Sequence, residues 1–375
     1  MKITIMMDSF KGCFSSLEVG NIIKSIVETH HHEAVVLPIA DGGEGTVESL
    51  KDLNGSKEVT VEVHDPFMRS HRAHYLVVDD NIAILEMSAS SGLPLVGKEK
   101  NPMVATTYGV GDMIVDALDR GIRNFIVGIG GSATNDGGIG MLERLGVRFL
   151  DDNDQPIDKG PRGITQLSKI DLSGLDSRIK ESRFQVACDV DNPLCGNNGA
   201  SYVYGPQKGA SPTDVKRLDQ WLEKYHHKTL EVIKEADALT PGVGAAGGLG
   251  YAFRNYLQAE LRSGIELVLE MLDAESLIKK SDLIITGEGK MDFQTSMGKT
   301  PVGIAKLAKK HHKKVIAFCG VCDNDAQGVN QEGIDAFFPI INTTMSLEKA
   351  IDRKVSRENL ERCTRQVFNL IDLWR

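Results

Sequence analysis

The sequence predicts an α/β protein: a doubly wound parallel sheet made from both ends of the chain, with a second, mixed α/β domain inserted. Three observations carry this expectation. Short apolar runs alternate with helix-length amphipathic stretches near both termini, the pattern of strand–helix–strand units. The 375 residues exceed what one hydrophobic core usually organises. The middle of the chain changes character, toward antiparallel-looking strands and long glycine-rich loops. The expected domains are residues 1–63 with 281–375, and 64–280 as the insert.

Residues 3–7 form the first apolar run and end at Asp8. Ser15 or Ser16 can cap a helix reaching about His30. The triplet His30-His31-His32 follows at its end, where partly cationic rings suit the helix dipole; consecutive helix positions diverge, which argues against a metal site. Residues 34–38 read as a strand, "DGGEGT" (41–46) as a loop, and the stretch to about Leu53 as a helix. Residues 60–63, 72–78 and 82–87 read as antiparallel strands, with Asp79-Asp80-Asn81 as a turn. Residues 124–152 read as strand, glycine-rich loop, helix, strand. Residues 184–187 form a strand ending at Cys188-Asp189. Ser211-Pro212 opens a helix to about Ala236, and "TPGVGAAGGLG" (240–250) precedes another. Residues 283–286 are a strand, 301–310 a helix with Thr300 as N-cap and Pro301 in its first position, 315–319 and 337–341 strands, and two helices close the chain.

Bulk properties exclude some function classes. A net charge of −9 argues against a broad nucleic-acid surface, which needs clustered Lys and Arg. No stretch approaches the ~18 apolar residues of a membrane span, and the start lacks a signal-peptide pattern. Six scattered cysteines suit reduced thiols. A cytoplasmic enzyme is expected. The 38 glycines exceed the usual ~7% share and are clustered in loops.

The loops carry the chemistry. Gly298-Lys299-Thr300 ends like a P-loop, but the first glycine of that motif would fall at Phe293, so a Walker cradle is not expected. Upstream, Glu288, Lys290 and Asp292 are placed in the loop at the carboxyl end of a parallel strand, where open α/β sheets bind ligands. "GIGGSATNDGG" (128–138) contains Gly128-x-Gly130-x-x-Ala133 and has Asp151 some twenty residues on. That leaves a NAD(P)-dependent dehydrogenase as the alternative to a backbone cradle for phosphate or carboxylate. Asp8 and Asp189 follow strands directly, as Mg²⁺ ligands or general bases do in phosphoryl transfer. Cys319-x-x-Cys322 has the spacing of a redox motif without a helix starting at its first cysteine.

Taken together, "DSFKG" (8–12), "ADGGEGT" (40–46), "TTYGVGD" (106–112), "GIGGSATNDGG" (128–138), "ACDVDNPLCG" (187–196), "YGPQKGAS" (204–211), "PGVGAAGGLG" (241–250) and "DLIITGEGKMDFQTSMGKTPVGIA" (282–305) resemble the bacterial type I glycerate kinases over nearly the whole chain. The resemblance implies two α/β domains, one Rossmann- or flavodoxin-like, and transfer of phosphate from ATP to D-glycerate, with 2-phosphoglycerate favoured over 3-phosphoglycerate. Where that family often has Gly-Pro-Leu-Gly-Arg, this chain has His64-Asp65-Pro66-Phe67-Met68-Arg69, and the cysteines at 319 and 322 fall outside the pattern. On chemical grounds Lys11 is expected at the transferring phosphate, Asp41 and Asp292 at Mg²⁺, and Asp189 as the base for the glycerate hydroxyl. Gly42, Gly43, Gly130, Gly131, Ser132, Thr134 and Asn135 are expected to cradle phosphates or substrate, and Lys208, Glu288 and Lys290 to meet glycerate. The site is expected in a cleft between the two domains. The expected partner is a small molecule, with neither nucleic acid nor membrane. The sequence does not decide between a monomer and a homo-oligomer.

Overall fold

The computed structural model describes residues 1–40, 45–51, 55–292, 295 and 299–373. Asp41, Gly42, Gly43, Phe293 and Gly298, and the expected helix end at Leu53, lie outside the described residues. The chain separates into two compact units: Met1–Asp41, Glu48–Leu50 and Ile265–Arg375, and Gly42–Val47 with Lys51–Gly264. Strands are numbered along the whole chain.

The first unit holds β1 (Lys2–Met7), β2 (Glu33–Val36), β11 (Leu283–Met291), β12 (Lys314–Cys322) and β13 (Ala336–Pro339). Their order is β13-β12-β11-β1-β2, and every pairing is parallel. The chain runs from β1 outward to β2 on one side, and β11 begins the other side. The topological switch therefore falls between β1 and β11. Ile3, Ile5, Ile285 and Phe318 bury one sheet face against Val19, Ile23 and Val27 of the helix Ser16–Thr29 and Leu360 and Phe368 of Arg353–Asp372. Ser15 and Glu18 form the capping box that starts the first of these helices. His30 and His32 both reach Asp372, at 2.7 and 3.1 Å, and so fasten the last helix to the first.

The second unit has a six-stranded sheet in the order β10-β9-β6-β5-β4-β3, formed by β3 (Ser56–His64), β4 (Ser70–Val78), β5 (Ile82–Glu86), β6 (Asn124–Gly128), β9 (Arg183–Ala187) and β10 (Glu260–Arg262). The last four run parallel, and β4 and β3 add antiparallel. β3 pairs along its whole length with β4 and so joins this sheet. Asp79 and Asp80 both adopt positive φ in the turn between β4 and β5, as the Asp-Asp-Asn sequence anticipates. β7 (Arg148–Leu150) and β8 (Lys169–Asp171) make a separate antiparallel pair. Phe125, Phe184 and Phe253 anchor the core, the first two stacked at 4.6 Å.

Two element boundaries differ from expectation in ways that matter. β11 does not stop at Thr286; it continues to Met291, with Glu288 opposite Cys319 and Lys290 opposite Val321 of β12. Glu288 and Lys290 are therefore strand residues rather than loop residues. Gly287 permits this, since a Cβ there would lie 1.8 Å from the Phe318 carbonyl oxygen. The helix Thr300–Lys310 begins at Thr300, with Lys299 at the N-cap and no side-chain cap. Thr300 instead turns its hydroxyl to the Asp8 carboxylate at 3.2 Å.

Candidate active site

In the first unit, polar side chains gather at the carboxyl ends of β1 and β11, at the switch point where open parallel sheets take their ligands. Met7 pairs with Gly287, so Asp8 leaves β1 beside Glu288. Asp8 accepts the Ser9 N–H at 2.6 Å and the Thr300 hydroxyl. Glu288 is 8% exposed and accepts the Thr295 hydroxyl at 2.6 Å. Burial pushes its carboxyl up to about 7; the charges of Asp8 and Asp292 add to the rise, while the Thr295 hydrogen bond and Lys299 oppose it. Thr295 also accepts the Asp292 N–H at 3.0 Å, so one threonine joins both acids. Lys290 lies 2.9 Å from Asp323 and 3.5 Å from Asp292, and these charges raise its affinity for its proton. Lys11 is exposed. Its backbone runs beside β11: a Cβ on Gly289 would lie 3.7 Å from the Lys11 nitrogen.

In the second unit, β6 ends at Gly128 and ten residues separate it from the helix Ile139–Arg144. The intervening loop is tied to the segment 91–93. Gly131 accepts the Leu93 N–H, and Ala133 donates to the Ser91 carbonyl, at 2.8 and 2.9 Å. Gly130 and Gly131 are exposed, whereas Ser132, Thr134 and Asn135 are buried. Asp136, wholly buried, organises the loop from below. It accepts N–H bonds from Thr107, Gly138 and Gly140 and hydroxyl bonds from Thr106 and Thr107. Burial raises its pKa against the pull of those donors. Ala246, Gly247 and Gly248 all have positive φ. A Cβ on Gly247 would lie 2.1 Å from the Thr134 carbonyl, so the "GAAGGLG" segment is a close backbone support for the loop.

Lys208 is 1% exposed. Its Nζ donates to Ser132 Oγ and to the Thr134 carbonyl, each at 2.7 Å. Burial brings its pKa down to about 7, with Asp136 opposing. Asn135 donates to Ser201 at 2.9 Å. Asp189 is exposed just past β9, where it accepts the Ser263 hydroxyl and the Gly264 N–H, both at 3.0 Å.

Sequence reasoning did not single out Asp136, Thr295 or Glu86. Glu86, at the end of β5, accepts the Gly45 and Val47 N–H groups at 3.2 and 2.6 Å and so fixes the turn after "DGGEG". A buried acid directly after an apolar run was the available signal.

The dinucleotide alternative does not match this geometry. In a dinucleotide fold the helix follows the first strand closely, and the acidic residue ends the neighbouring parallel strand. Here the helix starts late, and Asp151 follows β7, which pairs antiparallel with β8. Asp151 accepts the Asn153 and Gln155 N–H groups in a turn. The cysteines are all free, and burial pushes the Cys319 thiol far up, away from the reactive thiolate.

A parallel sheet with a buried glutamate at its switch point, and in the second unit a glycine-rich loop braced by a buried lysine, are the features of an α/β enzyme equipped to handle anions. The chain belongs to the glycerate kinase family, whose profile matches residues 3–372. It is 44% identical to the glycerate kinase of Bacillus subtilis (strain 168), covering 100% of this chain and 98% of that protein. It is 43% identical to the glycerate 2-kinase of Escherichia coli (strain K12), covering 98% and 97%. A crystal structure of a Salmonella typhimurium LT2 protein assigned as glycerate kinase 2 superposes with a TM-score of 0.89 at 42% identity, covering 100% and 98%. The protein is a kinase. Among the described residues no helix is long and apolar enough to cross a membrane.

Proposed function

We propose that the protein transfers the γ-phosphoryl group of ATP to D-glycerate, at the 2-hydroxyl in preference to the 3-hydroxyl. The observation that carries the chemistry is Glu288: a buried carboxyl with a pKa near 7, at the switch point of a parallel sheet. A proton acceptor works best when its pKa lies near the working pH. The preference for the 2-hydroxyl rests on the 43% identity to a protein named glycerate 2-kinase.

In this reading the glycerate hydroxyl oxygen attacks the γ-phosphorus, the bond to the β–γ bridging oxygen breaks, ADP leaves, and the hydroxyl proton passes to a carboxylate. Glu288 is assigned that proton. Asp189, the acceptor expected from sequence, is exposed and already engaged by Ser263 and Gly264, which suits orientation better than proton abstraction. Lys11 and Lys290 supply positive charge to phosphate or carboxylate oxygens, and the 130–135 loop seats an anionic group.

Mg²⁺ fits the donor chemistry in one mode. Among the described residues no three His, Cys, Asp or Glu side chains gather as ligands, yet Mg²⁺ in phosphoryl transfer commonly takes one or two carboxylates and completes its shell with phosphate and water. Asp292, with Asp41, would hold the ion, which supplies charge neutralisation at the phosphates.

The test is ADP release measured on adding D-glycerate to enzyme, ATP and Mg²⁺, repeated with Glu288→Gln and Asp189→Asn. Turnover that collapses ~10²-fold or more in Glu288→Gln, with a smaller loss in Asp189→Asn, supports the assignment. The reverse ranking returns the base role to Asp189. Absence of glycerate-dependent ADP release contradicts the reading as a whole.

A further inference from the structure

The loop and Lys208 carry an inference beyond the reading above, on which it rests. Lysine is an uneconomical choice for a closed site in the second unit. Removing an ammonium from water costs several kcal/mol, and an apolar side chain of similar size is often the more stable occupant. Lys208 sits behind the 130–135 loop with its Nζ 2.7 Å from both Ser132 Oγ and the Thr134 carbonyl oxygen. It is too deeply enclosed to meet a substrate itself.

Its bonding constrains a group that can. An ammonium has hydrogens and no lone pair, so Ser132 Oγ accepts from it. The serine's own hydrogen is thereby directed away from Lys208, and the charge behind it strengthens the hydroxyl as a donor. Ser132 lies next to the exposed glycines 130 and 131, and its backbone bridges to Gly92, so the oxygen is held in place. The same loop keeps polar capacity in reserve: Thr134 Oγ1 and Asn135 Oδ1 are buried without a hydrogen-bond partner among the described residues. Buried polar atoms of this kind are uncommon and call for a polar guest.

We propose that Lys208 is a positioning residue that sets Ser132 as a one-directional hydroxyl donor to an anionic oxygen of a substrate, either the glycerate carboxylate or an ATP phosphate. The two sources share one chemistry, and kinetics separates them.

The experiment uses the full-length enzyme, Lys208→Met, Ser132→Ala and the double variant, assayed at pH 6.5, where the wild-type lysine keeps its proton. KM for D-glycerate at saturating ATP, KM for ATP at saturating glycerate, kcat and the thermal midpoint are read for each. Each single change is expected to raise one KM ~10- to 100-fold, the loss typical of a hydrogen bond to a charged group, with kcat within about threefold and the midpoint of Lys208→Met unchanged or higher. A shift in the glycerate KM identifies the carboxylate; a shift in the ATP KM identifies a phosphate. The double variant should be about as impaired as the worse single one, because the two residues act in series. Both KM values staying within twofold in Ser132→Ala overturns the inference, and so do effects that multiply in the double variant. A drop in midpoint and kcat at constant KM marks a purely structural lysine and also overturns it. If Lys208→Met does not fold, Ser132→Ala decides alone by the same KM criterion. Wild-type enzyme that turns over while the variants bind normally removes this inference only. Wild-type enzyme without turnover removes the underlying functional reading and this inference with it.

Discussion

In the proposed reaction Glu288 concentrates the chemistry of the first unit in one side chain. A carboxyl usually loses its proton near 4.5; this one holds it to about 7, chiefly because ionising it would bury a charge. Two consequences follow with opposite signs. If Glu288 accepts the hydroxyl proton, it must be ionised to act, so kcat should rise as pH climbs through about 7, and Glu288→Gln should lose both the rate and that limb. For stability, a folded-state pKa above the unfolded value favours the fold at low pH, and the advantage is lost as pH passes through the folded pKa. Relative to Glu288→Gln, the wild type should therefore lose on the order of 3 kcal/mol between pH 4 and pH 9. Urea unfolding of both proteins at the two pH values checks this; a stability difference independent of pH contradicts the buried-acid account. The sequence placed Glu288 in a loop among the residues expected to meet glycerate, and its position within β11 was not legible. Glycine and charge are depleted in strands, yet "GEGK" continues the parallel ladder, with Gly287 fitting closely against Phe318, Glu288 opposite Cys319 and Lys290 opposite Val321.

At the scale of elements, the 129–138 loop is a built object. It is supported from below by Asp136, from behind by Lys208, and by the left-handed 246–248 segment. Asp136→Asn replaces an acceptor of five hydrogen bonds with a group that places its own hydrogens against donors. The expected loss is about 3 kcal/mol of unfolding free energy, read from the denaturation midpoint. Gly247→Ala meets two obstacles, a φ of 68° and a carbonyl 2.1 Å from the new carbon. It should displace Thr134 and Asn135 and reduce kcat/KM at least ~10-fold, while the sheet keeps its far-ultraviolet circular dichroism. An active Gly247→Ala enzyme would show that the support is dispensable. The sequence displayed these loops as glycine-rich segments just before helices. It could not show which of them bear on one another, because Gly247 and Thr134 are 113 positions apart and meet through backbone atoms, which leave no side-chain signature.

For the whole molecule, the alternation of strand and helix near both termini was enough to foresee a parallel sheet, because short apolar runs separated by amphipathic helices have few other ways to bury both faces. The mixed sheet of the second unit was legible in part: the Asp79-Asp80-Asn81 turn announces the β4–β5 hairpin, whereas the parallel partners β6 and β9 are joined over a long stretch of sequence. The reaction proposed for the molecule is ATP-dependent phosphorylation of D-glycerate. Phosphorus NMR of a mixture of enzyme, Mg²⁺, ATP and D-glycerate tests it most directly. The expected result is loss of the γ-phosphate resonance in step with a new monoester signal, whose coupling to a single methine proton identifies 2-phosphoglycerate. A methylene-coupled signal would mean 3-phosphoglycerate and contradict the assigned position; an unchanged ATP spectrum, or release of inorganic phosphate alone, would contradict the reaction itself.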